Sequence, residues 1–581
     1  MPKRSLSPAP LPPPKRIHTA TEDHPHAVFE SRPFDTILSD EIVLFVFHYL
    51  SSSDLCAVQR TNKNWARLSL DNQVCISISR NGGLTAVQLW KSLYINEYGR
   101  TRLRGGRGFI GRGDGREIKP LPGRSAIPEE VKDWKWMFRI SSNWRTGRCS
   151  LEHYELGTSA RLFAHAQAPD QTHLLLAGNL AIMASSEANR VPAILLSSPA
   201  HEPHTLHCPS SRPATTTRIT ALALDQAPPT TGHHGRLICF LATGEFSLYS
   251  INHQTPSSSS RVLTYQPSRQ SSRTTPIVQA VYHHPLLVTL SQSFNLSLYD
   301  LSSNSVQHTQ TLTSFTSFPP SSLVLSCQSP SAYRLILAYA TPVYPVHWSV
   351  GATELLISGS DDSRMTVTNT RTTRTMDVPQ GWVDESRMRA VREQWGRKVA
   401  RVADTQTDGK WVILAPGQLL STIPGPSTPS AGGSSSTTPP PSPAASSTYT
   451  SSSLHTASGL QLYRLYLPSS SSSSSSPKLT YVRTLHGQIG PVSTLALADG
   501  RCVSLGMNGS LWVWDLEAGT GTEVSPGITG PQDTEGDGEE NDPFETVKVR
   551  VAVGARGSVV FDDRRIVSSH GAEVEVRRFD I

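Results

Sequence analysis

The sequence predicts an α+β multidomain chain: a small helical domain followed by an all-β propeller of about seven blades, interrupted by disordered inserts. Three observations carry this. Residues 34–98 hold apolar residues at helical spacing. From residue 133 to 581, short β-rich runs bounded by turn residues recur every few tens of positions. Tracts of Ser, Thr and Pro separate these runs and are too polar to order themselves.

The composition agrees. The 581 residues are 37% hydrophobic and 17% charged, with 40 glycines and 43 prolines, which suits a loop-rich β protein. A net charge of +6 is mild for this length and does not of itself imply nucleic acid. The seven cysteines (Cys56, Cys75, Cys149, Cys208, Cys239, Cys327, Cys502) are scattered, odd in number and without a Cys-x-x-Cys, the usage of a reducing compartment. No apolar run approaches the ~20 residues needed to span a bilayer, and the N-terminus carries no apolar signal segment. The expectation is a soluble protein of the cytoplasm and/or nucleus.

In the helical domain, Ile42, Phe45, Val46, Tyr49 and Leu50 fall at i, i+3, i+4, i+7 and i+8, the stripe of an amphipathic helix. Ser39 stands at the N-cap position, with Asp40 and Glu41 in the first turn, where the helix dipole favours carboxylates. Serines 51–53 break that helix, and a second pattern runs through Asp54, Leu55, Val58, Trp65 and Leu68. Three short helices make a small core, one that needs a partner over its apolar face.

These residues resemble the F-box family, whose motif is roughly Leu-Pro-x-Glu-Ile-Leu-Leu-x-Ile-Phe-x-Tyr-Leu followed by Asp-Leu and a later Trp. Leu38, Glu41, Ile42, Leu44, Val46, Phe47, Tyr49, Leu50, Asp54, Leu55, Val58 and Trp65 fall on it in register, with Ser39 in place of the usual proline. LWKSLY, with Trp90, Leu93 and Tyr94, resembles the family's continuation. The resemblance implies a docking site for a Skp-type adaptor. Its candidate residues, at the interface or in the packing beneath it, are Leu38, Glu41, Ile42, Val46, Phe47, Leu50, Leu55, Val58, Trp65, Trp90, Leu93 and Tyr94.

Around this domain, residues 1–30 form a Pro-rich tail with two basic pairs, Lys3-Arg4 and Lys15-Arg16, spaced like a two-part nuclear import signal. Residues 99–132 read as a flexible linker. Within it, 103–116 (LRGGRGFIGRGDGR) contains Gly106-x-Gly108-x-x-Gly111 without the strand and acidic residue a dinucleotide loop requires. It also resembles an Arg-Gly-Gly segment of the kind that binds RNA. The aromatic run 133–149 includes Asn143, Trp144 and Gly147, similar to the stretch that, in F-box proteins with WD-repeat propellers, ends the linker helix and enters the first blade.

Strand-rich units stand at 218–252, 275–301, 321–350, 490–519 and 555–581. In 490–519, GMNGSLWVWDL resembles the closing half of a WD repeat. Upstream, Leu485-His486-Gly487 occupies the place of the usual Gly-His pair in reversed order. Trp514-Asp515 is the one true Trp-Asp pair, so the Asp-His-Ser-Trp network of strong repeats is expected to be mostly absent. Seven blades are expected, with six or eight as alternatives. Inserts are expected at 200–217, 253–274, 418–458, 468–477 and 520–545, the last holding an acidic stretch at 533–545. Met388, Val391, Trp395 and Val399 form one stripe between Asp384 and Arg401, read as an amphipathic helix lying on the propeller.

Signals for chemistry are weak. The sequence has no Gly-x-Ser-x-Gly, His-Glu-x-x-His or Gly-x-x-x-x-Gly-Lys. His201, His204, His207 and Cys208 are metal-ligand types, but they stand in a tract read as a polar loop without a second paired motif. The paired histidines at 233–234 and 283–284 read as turn residues. No cofactor, metal or catalytic residue is expected.

An F-box before a WD-repeat propeller resembles the substrate receptors of SCF ubiquitin ligases. The resemblance implies a non-catalytic subunit that docks a Skp-type adaptor, and through it a cullin-RING core, while the propeller holds a protein substrate, phosphorylated or not. The substrate-binding residues are not identified. Alternatives are a non-degradative scaffold, or an RNA-associated protein using the Arg-Gly segment. A membrane partner is not expected, and nucleic acid is disfavoured.

Overall fold

The computed structural model describes residues 38–70, 75–78, 84–87, 89–99, 134–155, 171–212, 215–227, 234–253, 255–267, 275–302, 305–329, 331–343, 347–359, 364–376, 384–417, 459–468, 476–498, 500–524, 557–571 and 573–581. The basic tail, the Arg-Gly stretch, the 418–458 insert and the acidic stretch at 533–545 lie outside the described residues. The chain divides into two compact units, Met1–Ser92 and Leu93–Ile581.

The first unit holds helices α1 (Asp40–Phe47), α2 (Ser52–Val58) and α3 (Lys63–Leu70), and a fourth, α4 (Leu89–Tyr94), begins in it. Ser39 stands at the N-cap of α1 with extended backbone, but its side chain makes no capping bond. The first-turn carboxylate of Asp40 instead pairs with Arg67 of α3 at 2.6 Å. Ser51 caps α2, its hydroxyl accepting from the Asp54 N–H at 3.2 Å, so Ser52 and Ser53 are helical and only Ser51 stands at the break. Asn62 opens α3 by accepting from the Trp65 N–H at 2.7 Å. These short polar side chains satisfy backbone donors that a helix start leaves orphaned. Val43, Leu44, Phe47, Leu55 and Leu68 form the small core. Phe47 meets Trp65 edge-on at 5.7 Å, and the Trp90 indole N–H donates to the Ser69 carbonyl at 2.8 Å. A two-stranded hairpin, Cys75–Ile78 with Leu84–Val87, stands beside these helices and was not expected from the sequence.

The second unit is a seven-bladed β-propeller: among the described residues it has seven four-stranded antiparallel sheets. Blade 1 is Thr172–Ala177, Leu180–Ser185, Ala193–Ser198 and His201–His207. Blade 2 is Ile219–Leu224, His234–Leu241, Phe246–Asn252 and Ser260–Tyr265. Blade 3 is Ile277–His283, Leu286–Ser291, Asn295–Asp300 and Gln307–Thr313. Blade 4 is Phe318–Ser329, Ala332–Val343, His347–Gly359 and Met365–Arg374. Blade 5 is Val402–Thr407, Trp411–Pro416, Leu460–Tyr466 and Lys478–Leu485. Blade 6 is Val492–Ala498, Arg501–Gly506, Leu511–Asp515 and Thr520–Glu523. Blade 7 is Ser558–Phe561, Arg565–His570 and Glu573–Arg578, completed by Ser150–Glu155.

The first strands of successive blades touch in a closed ring and therefore line the axis. Apolar clusters fill the space between blades, as where Ile182, Ile194 and Leu196 of blade 1 meet Leu237, Cys239 and Ile251 of blade 2. Second strands such as Leu286–Ser291 and Trp411–Pro416 are buried along their whole length.

Four expectations change here. The stretch after Trp144 enters not the first blade in sequence but the outer edge of the last, where Ser150–Glu155 pairs with Glu573–Arg578 and ties the two ends of the ring together. His201–His207, Ser260–Tyr265 and Thr520–Glu523 are outer strands, although they fall in 200–217, 253–274 and 520–545, expected as inserts. An outer strand packs on one face only, so polar composition does not prevent it from pairing. Of the paired histidines, His234 begins a strand and His283 ends one. The helix between blades 4 and 5, α6 (Glu385–Gly396), buries none of its residues; Val399, expected on its stripe, lies beyond it in a bridge with Trp348.

Candidate docking surfaces

In α1 the stripe at i, i+3, i+4 and i+7 faces outward. Ile42, Phe45 and Val46 are 50%, 56% and 49% exposed, and Tyr49, just past the helix, is 73% exposed. The core is served by the neighbouring face, Val43, Leu44 and Phe47. Phe45 and Tyr49 meet edge-on at 5.3 Å, forming a raised aromatic edge beside the exposed Glu41. Monomeric proteins rarely leave four large apolar side chains side by side in water without a partner.

The remaining candidates divide by depth. Leu38, Leu50, Val58 and Trp65 are half-buried. Phe47, Leu55 and Trp90 are buried within the first unit. Leu93 is half-buried and Tyr94 buried in the second unit, where Tyr94 packs on Trp134 at 5.7 Å. Phe45 and Tyr49 were not among the candidate contact residues, although the periodicity that found the stripe contains both.

In the second unit, helix α5 (Trp134–Thr146) is anchored by the residues the sequence singled out. The Asn143 amide donates to the Phe579 carbonyl at 2.8 Å, and the Trp144 ring stacks on Phe579 at 4.1 Å while its N–H donates to the Asp563 carbonyl at 2.9 Å. Gly147, at φ +72°, then turns the chain toward Ser150–Glu155, and a Cβ there would collide with the Glu523 carbonyl.

Blade 6 contains a buried relay: the Trp514 indole N–H donates to Ser504 Oγ at 2.8 Å, and Ser504 donates to Gln488 Oε1 at 2.6 Å. Gly487-Gln488 thus stands where a WD repeat has its Gly-His pair, and His486 lies outside the relay. Between blades 5 and 6, the buried Asp404 carboxylate accepts from the Leu495 N–H at 2.7 Å and the Thr494 hydroxyl at 3.2 Å. Burial raises its pKa against the pull of these bonds. A pocket of about 240 Å³, open to solvent, lies among the first strands of the blades and is lined in part by His173, Gln279, Ser322, Gln406 and Ser558. Desolvation pushes the His173 pKa down to about 4, so the ring is neutral at physiological pH.

His201, His204, His207 and Cys208 do not converge. The three histidines lie along an outer strand, His201 and His207 exposed, and Cys208 is buried beyond it. Among the described residues no cluster of three His, Cys, Asp or Glu could hold a metal ion, and no helix is long and apolar enough to cross a membrane.

Residues 166–574 match the model of the F-box protein pof12 β-propeller family. The chain belongs to that family. Residues 40–80, which contain α1 to α3, match the F-box-like domain. Among solved structures the pof12-type propeller is similar to the β-propeller domain of Cps50 (Swd1) from Myceliophteria thermophila, at 9% identity and TM-score 0.35, over 74% of this chain and 99% of that one. It is also similar to Sqt1 of Saccharomyces cerevisiae, at 7% identity and TM-score 0.34, over 74% and 98% of the two chains. No curated protein matches the sequence.

Proposed function

We propose that this chain is the substrate-recognition subunit of an SCF-type E3 ubiquitin ligase, with α1 docking a Skp-type adaptor and the propeller holding the protein to be ubiquitinated. The observation that carries this reading is the outward stripe Ile42, Phe45, Val46 and Tyr49 on a domain of F-box type. Fully burying one such side chain contributes about 1.5–3 kcal/mol. Even at half exposure, four of them supply a substantial apolar driving force for association. The subunit itself makes and breaks no bond. It holds a substrate lysine near a ubiquitin-loaded conjugating enzyme on the cullin-RING arm, turning a bimolecular encounter into a local one.

The test is capture of adaptor and cullin from proteasome-inhibited lysate, followed by titration with purified adaptor. Wild type should capture both. Ile42→Glu with Val46→Glu should weaken adaptor affinity by about 100-fold or more, because each change buries an unpaired carboxylate in an apolar contact. Both positions are half exposed in the free domain, so the melting transition of the propeller should not move. Unchanged capture by the double variant would sink the proposal.

A further inference from the structure

The face of the propeller opposite α5 carries a surface that the adaptor reading leaves unused. Connections alternate between the two ends of an antiparallel four-stranded blade. Asp563 and Phe579, which anchor α5, follow the first and third strands of blade 7, so α5 sits at that end. Connections between blades fall at the other end. Blade 4 has strands of 10 to 13 residues, against 4 to 8 in the other blades, and at that end its second and third strands stay paired through Thr341, Pro342 and Val343 with Ser349, Trp348 and His347. Phe315 is 89% exposed in the turn that enters this blade.

A contiguous aromatic and basic patch follows. Phe318 meets Trp348 edge-on at 5.6 Å. Trp348 forms a two-way backbone bridge with Val399, at 2.7 and 2.9 Å. The adjoining Lys398 ammonium lies 5.7 Å from the Trp395 ring of α6. On α6 itself Met388, Val391 and Trp395 share one face at i, i+3 and i+7, bordered by Arg387 on one side and by Arg389 and Arg392 on the other. Among the described residues Arg389 and Arg392 have no acidic partner within ion-pair distance, although Glu385 and Glu393 stand one turn before and after Arg389 on the same helix, whereas Arg387 lies beside the capping Asp384. Asp384 fixes the start of the helix, its carboxylate accepting from the Arg387 N–H at 2.7 Å. A 12-residue helix that buries nothing is marginal in water by its own propensity.

We infer that α6 and the raised end of blade 4 form a docking surface for an acidic amphipathic peptide, whose apolar side chains cover Met388, Val391 and Trp395 while its Asp and Glu residues pair with the flanking arginines. This rests on the receptor reading and gives it a substrate class. Charge complementarity selects the partner: Arg387, Arg389, Arg392 and Lys398 outnumber Glu385 and Glu393 around the apolar stripe, and this basic excess matches carboxylates beside apolar side chains. Single-stranded nucleic acid would use the cations but has no use for a methionine and valine face, since it binds by stacking on aromatic rings.

The test uses the purified full-length chain and a fluorescein-labelled amphipathic helical peptide with Leu and Phe on one face and Glu on the other. Controls are its Glu→Gln counterpart and a labelled oligouridine. The acidic peptide should bind, the Gln peptide at least tenfold more weakly, and added salt should weaken binding. Arg389→Glu with Arg392→Glu should lower affinity for the acidic peptide by about tenfold or more, whereas Arg389→Lys with Arg392→Lys should keep most of it. Equal affinity in the charge-reversed variant, or equal binding of the Glu and Gln peptides, overturns the inference. So does oligouridine binding that competes with the peptide and is lost in the same variant. Adaptor affinity, measured on the same preparations, separates the two proposals. A chain that binds adaptor but not the acidic peptide refutes this surface alone. A chain that binds the peptide through Arg389 and Arg392 but not the adaptor supports the surface and refutes the ligase reading.

Discussion

Blades 4 and 6 have the same four-stranded pairing and fill their interiors with different chemistry. Blade 6 uses neutral hydrogen bonds: Trp514, 1% exposed, donates to Ser504, which donates to Gln488, and the Trp514 ring stacks on Trp512 at 5.3 Å. Blade 4 uses charge. Glu354, 2% exposed, stands 3.0 Å from Arg334 on one neighbouring strand and 3.8 Å from Arg371 on the other, its direct partner in register. Burial raises the Glu354 pKa despite both cations, so desolvation outweighs their attraction. The backbone ladder and the apolar packing between blades therefore specify the architecture, and each blade supplies its own solution for the polar groups it encloses.

If that is right, each solution should be essential in its own blade and absent from the other. The largest effect is expected from Trp514→Ala. It removes a fully buried indole, opens a cavity beside Trp512 and leaves the Ser504 hydroxyl without its donor, a loss of about 3–5 kcal/mol. Thermal unfolding should shift down markedly. A shift no larger than that of an average surface substitution would mean that the relay is not what holds blade 6. Glu354→Ala should cost somewhat less, about 2–4 kcal/mol, because it strands two arginines that retain some access to solvent. Glu354→Ala combined with Arg334→Leu and Arg371→Leu should recover much of that loss, since a well-packed apolar replacement for a buried ion pair is often neutral or stabilising. A triple variant no more stable than Glu354→Ala would show that the ion pairs do more than satisfy one another.

The contrast also explains how much could be read from the sequence. The F-box pattern, the strand periodicity and the seven-bladed class were legible because they depend on apolar spacing, which packing enforces. Blade 6 was legible because Trp514-Asp515 is a dipeptide with a recognisable neighbourhood. Blade 5 was not recognised as a unit, because its second and third strands are separated by residues 417–459 of sequence. The outer strands His201–His207 and Ser260–Tyr265 read as inserts in the sequence because they are largely exposed and so carry little apolar signal. Nothing local in Ser150–Glu155 marks it as the closing strand of blade 7; that pairing joins residues more than 400 positions apart. For α1, spacing found the stripe, but not that Phe45 and Tyr49 would be more exposed than Phe47, which turns into the core.

The smallest test concerns the residue that ends the blade 6 relay in place of the expected His486. Gln488 is buried at 3% exposure and accepts from Ser504, while its amide nitrogen has no partner among the described residues. Gln488→Ala removes the acceptor at the end of the relay, and should cost about 1–2 kcal/mol by leaving the Ser504 hydroxyl proton unsatisfied. The cost stays well below that of Trp514→Ala because the ring itself remains packed. His486→Ala, one turn residue away and outside the relay, should change stability by less than about 0.5 kcal/mol. The pair is best read by chemical denaturation of the full chain, monitored by tryptophan fluorescence. If His486→Ala proved the costlier of the two, the reversed Leu-His-Gly alignment would be restored and Gln488 would be only a space-filling neighbour of Ser504. If Gln488→Ala costs more, blade 6 closes its hydrogen-bond relay with an amide at the position where the repeat pattern leads one to expect an imidazole.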